Sequence, residues 1–357
     1  MKELLHILQQ VPQFPALVQA LETGQSPAAV SGLSRIHRAH FAAGLGTALD
    51  RPVVMVCADE DEAQALGRDI TAFTGWSVTL IGSREFNFYN GAVASHQGEH
   101  SRLAAFYAMA QGECKVITAT VEGLLQRTLS PEELLEHVVT ICSGGSYDPT
   151  QLADALAALG YTRCDQVEGV GQFALRGGIL DVFSPAQDHP VRVEFWDTDV
   201  DSMGLFDPAT QRRVGHLDKA VFLPVREVLP QRQEDGTWQQ VPDHQLPQRY
   251  PVSHTAVHHL PPDAVVCLSE SARVAERGKN WLWQLDEDLK TLVESGVQLG
   301  KHATFALTFP QLMEEVSQFP LCFLDSFSTS TLPLPPKALF NAQGRQLSTF
   351  GANLDSA

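Results

Sequence analysis

The chain has 357 residues, with 25 Lys+Arg against 42 Asp+Glu for a net charge of −17, and 44% of it is hydrophobic and 19% charged. These values fit a soluble globular protein of two to three domains and exclude a disordered or fibrous chain. The acidic balance argues against broad contact with a nucleic-acid backbone, which requires a basic face, and no run approaches the ~20 apolar residues that cross a bilayer.

The N-terminal stretch is interrupted by Glu3, His6, Gln9 and Gln10, so it lacks a signal-peptide core, and its Leu4, Leu5, Leu8 spacing predicts an amphipathic helix. Residues 1–137 then alternate apolar strands with helices. Strands are predicted at 28–33, 52–58, 76–82 and 115–121, and helices at 37–49, 59–75 and 101–112. Fully apolar strands between helices are the pattern of a parallel sheet covered on both faces, so the fold class is α/β, RecA-like or otherwise doubly wound.

Residues 138–224 read differently, as a compact inserted α+β domain. A strand in VVTICSGGSYD and a short helix precede the hairpin-like runs QFALRGGILDVFSP, PVRVEFWDTDVDSMGLFD and QRRVGHLDKAVFLP, with turns at Gly177–Gly178 and Asp197–Thr198–Asp199. Residues 225–357 complete the first domain. Here QRQEDGTWQQVPDHQLPQRYPVSHT reads as a loop or linker, and strands are predicted at 263–270, 303–309 and 321–327, with helices at 271–296 and 310–319. The tail after Ser328 is rich in Pro and Ser and ends without a closing element, as if cut from a longer protein. The six cysteines show no CxxC pair or zinc spacing and read as reduced thiols, four of them beside strand-like runs.

Five motifs bear on chemistry. After the first strand, Gly32-Leu33-Ser34-Arg35-Ile36-His37-Arg38-Ala39 occupies the place of a phosphate-binding loop. His37 replaces the second glycine, Arg38 the lysine, and Ala39 has no oxygen for Mg²⁺, so Gly32, His37, Arg38 and Ala39 mark a degenerate, non-binding loop. Asp59–Glu62 after VVMVCA resemble a Walker B end but read as the acidic first turn of a helix. His96-Gln97-Gly98-Glu99-His100 matches an inverted zinc-peptidase pattern, yet Gly98 weakens a helix, NGAVASHQGEH reads as a loop entering one, and no third ligand follows. His254, His258 and His259 have no acid partners at ligand spacing and read as surface histidines.

The fifth is a docking face. In VRVEFW, period 2 puts Val191, Val193 and Phe195 toward a core and Arg192, Glu194 and Trp196 on the opposite side, with Arg192 and Trp196 about 13 Å apart. Arg176 ends the preceding strand at the Gly-Gly turn. Arg and Trp are the residues most enriched at interface hot spots, and on an acidic domain they suit a partner that offers carboxylates. The competing arrangement pairs Arg192 and Glu194 across the sheet and leaves Trp196 partly buried.

At these residues the chain resembles the transcription-repair coupling factors, the Mfd family, in their N-terminal segment similar to the repair protein UvrB. VSGLSRIHRA, SREFNFYNGAVASHQGEHSRLAAFYA and TATVEGLLQR carry the resemblance, which is strongest in GYTRCDQVEGVGQFALRGGILDVFSP and HPVRVEFWDTDVDSMGLFDPATQR, and LPPDAVVCLSE and FLDSF also share it. It implies a split, degenerate helicase-like ATPase domain with a small inserted domain that binds UvrA. The family's UvrA-contacting positions fall on Arg176, Arg192 and Trp196, the last a departure from the usual Phe that keeps a flat apolar face and adds bulk. The resemblance further implies a cytoplasmic protein without catalysis in this segment. ATP and Mg²⁺, RNA polymerase and double-stranded DNA would belong to modules beyond Ala357, and a C-terminal domain of the full-length protein would mask the UvrA face. The alternatives are an active UvrB-like ATPase binding nucleotide at Gly32–Ala39, a zinc hydrolase at His96 and His100, and direct DNA binding.

Overall fold

A computed structural model describes residues 3–88, 95–300, 303–328 and 331–342. Four strands of the first part, β1 (Ala28–Ser31), β2 (Val53–Cys57), β3 (Val78–Ile81) and β4 (Val116–Thr120), enter one parallel sheet. The middle of the chain supplies β5 (Val139–Cys142), β6 (Thr162–Arg163), β7 (Gln172–Arg176), β8 (Ile179–Val182), β9 (Val191–Trp196), β10 (Asp199–Phe206), β11 (Arg213–His216) and β12 (Lys219–Phe222). The last part returns to the first sheet through β13 (Val265–Ser269), β14 (Leu321–Leu324) and β15 (Ala338–Asn341).

The sheet order is β15-β1-β14-β13-β2-β4-β3, every pair parallel. Strands from both ends of the chain therefore interleave, and the middle strands are an insertion between β4 and β13. Residue alternation sends Val54, Val56, Ile117, Val266 and Leu268 into one core and Val53, Met55, Cys57, Val116, Val265 and Cys267 into the other. Helices cover both faces, which is why these strands read as unbroken apolar runs. The fold class is α/β, as the alternation of elements predicts.

The insertion has its own core. Phe173, Leu180, Val182, Val191, Val193, Phe195 and Met203 from the sheet β11-β10-β9-β8-β7-β6 pack with Leu152 and Leu156 of helix Pro149–Ala158. Its two connections leave side by side, because β5 pairs antiparallel with β12.

Several elements differ from their expectation. The strand predicted at 303–309 is absent: Phe305 is instead buried against Phe86 and Phe88, Ala306 makes one isolated bridge to Gln126, and Phe309 already starts helix Phe309–Val316. The expected linker of 231–255 holds short elements whose Val241, Leu246 and Tyr250 are buried in the main core. The tail does supply a closing element, since β15 forms the sheet edge beyond β1. The single N-terminal helix is two, Glu3–Ile7 and Gln13–Glu22, joined by a 3₁₀ turn. Parts of two expected loops, 89–94 and the tail residues 329–330 and 343–357, lie outside the described residues. Cys57, Cys114, Cys267 and Cys322 are buried free thiols, Cys142 is exposed and Cys164 intermediate. Among the described residues, no helix is long and apolar enough to cross a membrane.

Candidate functional site

Strand β9 alternates as its sequence predicts. Val191, Val193 and Phe195 are buried, while Arg192 and Glu194 are half-buried and Trp196 is 81% exposed on the other face. That face carries a small apolar cluster of Val167, Ala174 and Phe206, and inside it lies a residue the sequence reading missed, Asp181, at 1% exposure. Asp181 is register-paired with Arg192 on one side and Ala174 on the other.

Burying a lone carboxylate costs several kcal/mol unless its oxygens are bonded. Here both arginines supply the bonds. Arg192 donates from Nε to Oδ1 at 2.7 Å and from Nη2 to Oδ2 at 2.8 Å, while Arg176 Nη2 reaches Oδ2 at 2.8 Å. Arg192 also donates to Gln211 Oε1 at 2.9 Å and stacks over the Phe206 ring at 4.4 Å, and Arg176 donates to the Asp165 carbonyl at 2.9 Å. The hydrogen bonds it donates to Asp181 hold the Arg192 guanidinium above its ordinary pKa. Two cations thus share one anion, with Arg176 48% and Arg192 23% exposed, and the pair keeps a net positive charge toward solvent.

Trp196 closes the β9–β10 hairpin opposite Asp199. Asp197 takes the left-handed conformation at φ 59°, which Asp tolerates better than a bulky residue. The tip is braced from outside, since Tyr147 N donates to the Thr198 carbonyl at 2.7 Å and Ser146 Oγ lies 3.0 Å from Thr198 Oγ1. The exposed indole is therefore presented on a fixed backbone. Of the two expectations for Arg192 and Trp196, cross-sheet pairing holds for Arg192 and burial fails for Trp196.

The degenerate loop has been filled. Gly32 lies at φ +86°, Ser34 takes the N-cap position with its Oγ 3.1 Å from His37 Nδ1, and Arg35–Leu49 begins so early that His37, Arg38 and Ala39 are all helical. Arg38 points into the crevice at the carboxyl ends of the strands, the place where open α/β sheets bind ligands. It is 5% exposed and donates to the Leu33 carbonyl at 3.1 Å, to Ser326 Oγ at 2.8 Å and to Glu270, and it pairs with Glu62 at 3.4 Å. Asp59 caps the next helix by accepting from Glu62 N at 2.9 Å, and Arg273 pairs with both acids. The Walker-B-like acids therefore serve as a helix cap and as partners for these two arginines.

His96 and Glu99 of the HxxEH motif are likewise engaged within the chain. His96 sits at the N-cap of helix Gln97–Ala110, and Glu99, 3% exposed, accepts from Glu227 N and pairs with Arg226 Nε and His96 Nδ1, both at 3.1 Å. Burial raises the Glu99 pKa, but the His96 bond with Arg84 and Arg226 outweighs it and holds it at about 2. Burial lowers His100 to about 4. Next to Glu99, the fully buried Arg102 donates to Glu227 Oε1 at 2.7 Å and to the Gly82 and Gly123 carbonyls, each at 2.8 Å, and Arg84 grips Asp243 at 2.8 and 3.1 Å. This network locks the exit of the inserted domain to the main sheet. His254 and His258 pack edge to face, with centroids 5.0 Å apart, while His259 is buried against Phe106 rather than on the surface.

Residues 139–227 match the UvrB interaction domain family. The chain is similar to the transcription-repair-coupling factor of Bacillus subtilis (strain 168), 24% identical over 384 residues that cover 96% of this chain and 32% of that protein. It is also similar to the protein of that name from Myxococcus xanthus, 33% identical over 224 residues, covering 60% of this chain and 19% of that one. A third, from Staphylococcus aureus (strain USA300), is 23% identical over 357 residues, covering 87% and 30%. The chain thus spans a third or less of the relatives it matches.

Proposed function

We propose that this chain, which resembles along nearly its whole length the UvrB-like N-terminal segment of the transcription-repair coupling factors and carries a UvrB interaction domain, is a non-catalytic recruitment module that binds UvrA. Its parent, a cytoplasmic ATP-driven DNA translocase, would act on RNA polymerase stalled on damaged double-stranded DNA, and this segment would then bring in the excision machinery. The observation that carries the reading is the Asp181-centred pair Arg176 and Arg192 beside the exposed Trp196, all within the region that matches the UvrB interaction domain. Guanidiniums held in place make charge-assisted bonds to a partner's carboxylates, and a rigid indole supplies an apolar anchor.

Two further features support the non-catalytic part. Arg38 occupies the crevice a nucleotide would need, and its bonds to Glu270, Ser326 and Leu33 are made within the chain. Glu62 and Asp59, acids beside that crevice, are engaged by Arg273. ATP and Mg²⁺ would then act only in the parent's motor, outside this chain.

The test is calorimetric titration of UvrA into the wild-type chain and Arg192→Ala, with circular dichroism on both. Binding of about micromolar strength or tighter by the wild type is expected, weakened ~30-fold or more in the variant. No binding by a folded wild type would remove the recruitment reading, and heat released with ATP would remove the non-catalytic one.

A further inference from the structure

The arginine face extends one strand further than Arg176 and Arg192. Gly204 on β10 lies opposite Arg192 on one side and His216 of the edge strand β11 on the other. Lacking a side chain, Gly204 lets the edge strand and the Arg213 guanidinium close over it: a Cβ there would collide with the Gly215 carbonyl oxygen and fall 2.6 Å from Arg213 Nε and 3.1 Å from Cζ. Arg213 Nη2 donates to Ser202 Oγ at 3.2 Å, and that hydroxyl donates to Glu194 Oε2 at 2.7 Å. Opposed residues on paired strands share a face. Arg213 is register-paired with Phe206, over whose ring Arg192 lies at 4.4 Å, so Arg213, Arg192 and Arg176 form a row across the sheet, with the buried Asp181 between the last two. Arg213 itself is exposed.

The row has a polarity. Its three guanidiniums share Asp181 and Glu194, so the row stays cationic although the chain carries a net charge of −17. At the far end of β9 the sign reverses, because Asp197 and Asp199 are exposed on either side of the hairpin tip that carries Trp196. A nucleic-acid strand lying along the arginines would run its phosphates onto this acidic tip. A protein surface with carboxylates at one end and a basic residue at the other matches both signs.

We propose that Arg213 is a third contact residue of this face, and that the partner lays an acidic strip over the Arg213–Arg192–Arg176 row with a cation near Asp197 and Asp199. The inference rests on the UvrA reading and names the chemistry of the surface UvrA would present. As an exposed charge at the edge of the interface, Arg213 acts mainly on the rate of association and its dependence on salt.

The experiment measures association and dissociation rates of UvrA with the full chain at low and high salt, for wild type, Arg213→Gln, Arg213→Lys and Arg192→Ala, each checked for folding by circular dichroism. Arg213→Gln is expected to weaken binding about fivefold through slower association and to flatten the salt dependence, while Arg213→Lys stays within about twofold of wild type. Wild-type rates and salt dependence in Arg213→Gln, beside a collapse in Arg192→Ala, would overturn the Arg213 contact and leave recruitment standing. A loss in Arg213→Lys equal to that in Arg213→Gln would overturn the charge-based account. A wild type that does not bind UvrA overturns both.

Discussion

Asp181 is a carboxylate at 1% exposure whose three bonds all come from two arginines that reach toward solvent, so its role is to aim them. Replacing it frees Arg176 and Arg192 to spread over many rotamers and leaves two like charges side by side. Asp181→Ala is expected to lower stability by about 2 kcal/mol in urea unfolding, the low end for a buried charged network because both guanidiniums are partly solvated. In a double-mutant cycle read by UvrA affinity, Asp181→Ala should cost little once Arg192 is already Ala; full additivity would show that Asp181 does not act through Arg192. A second residue sets a pH dependence. His259 is stacked on Phe106 with centroids 4.1 Å apart, its Nε2 lies 3.0 Å from the Leu129 carbonyl, and burial lowers its pKa from 6.5 to about 4. The folded state favours the neutral ring, so this contribution is present above pH 6.5 and is lost as pH falls from 6.5 toward 4, by up to about 3 kcal/mol. His259→Phe should flatten the stability profile in that window; an unchanged slope would show that His259 is not its source.

At the scale of elements, the charge network on helix Gln97–Ala110 is expected to matter more than any surface pair. Arg102→Ala orphans part of Glu227 and uncovers two carbonyls, and should cost about 3 kcal/mol or more, whereas Arg277→Ala, which loses a half-exposed pair to Glu122, should cost under about 1 kcal/mol. Equal losses in thermal unfolding would deny the network its role. This network also shows where the sequence is opaque. Strands β2, β4, β13 and β14 are legible because both of their faces are buried, and β9 because only one is. Glu99 and Arg102, by contrast, read as ordinary polar positions of a helix, since their partners Arg226 and Glu227 lie more than a hundred residues away and no local period announces them. Asp181 was hidden for the same reason: within ILDV it looks like one acid in an apolar strand, and only the register that puts Arg192 beside it gives it meaning. β15 escaped because four edge residues after a Pro-rich stretch carry almost no pattern, and 303–309 looked like a strand because Phe305, Leu307 and Phe309 alternate while packing into separate contacts.

For the whole molecule, the decisive question is whether the inserted domain needs the sheet that carries it. Its core is closed by its own residues, from Ile141 at the entrance to Phe222 and Val225 at the exit, and the β5–β12 pair seals the neck. Tyr161 adds an internal tie by donating to the Leu223 carbonyl at 2.8 Å. The links to the main sheet begin immediately afterwards, with Arg226 on Glu99 and Glu227 on Arg84 and Arg102. Those links orient the domain rather than build its core, and none touches Arg176, Arg192, Arg213 or Trp196. A fragment of residues 139–225 is therefore expected to fold cooperatively by circular dichroism, with lower stability as befits a small core, and to bind UvrA within about threefold of the whole chain, a difference of less than 1 kcal/mol. An unfolded fragment would mean that the buried arginine network, not the inserted core, holds the domain together. A folded fragment that binds tenfold more weakly would mean that UvrA also touches the α/β sheet, and the recognition surface would then have to be sought on both sides of the neck.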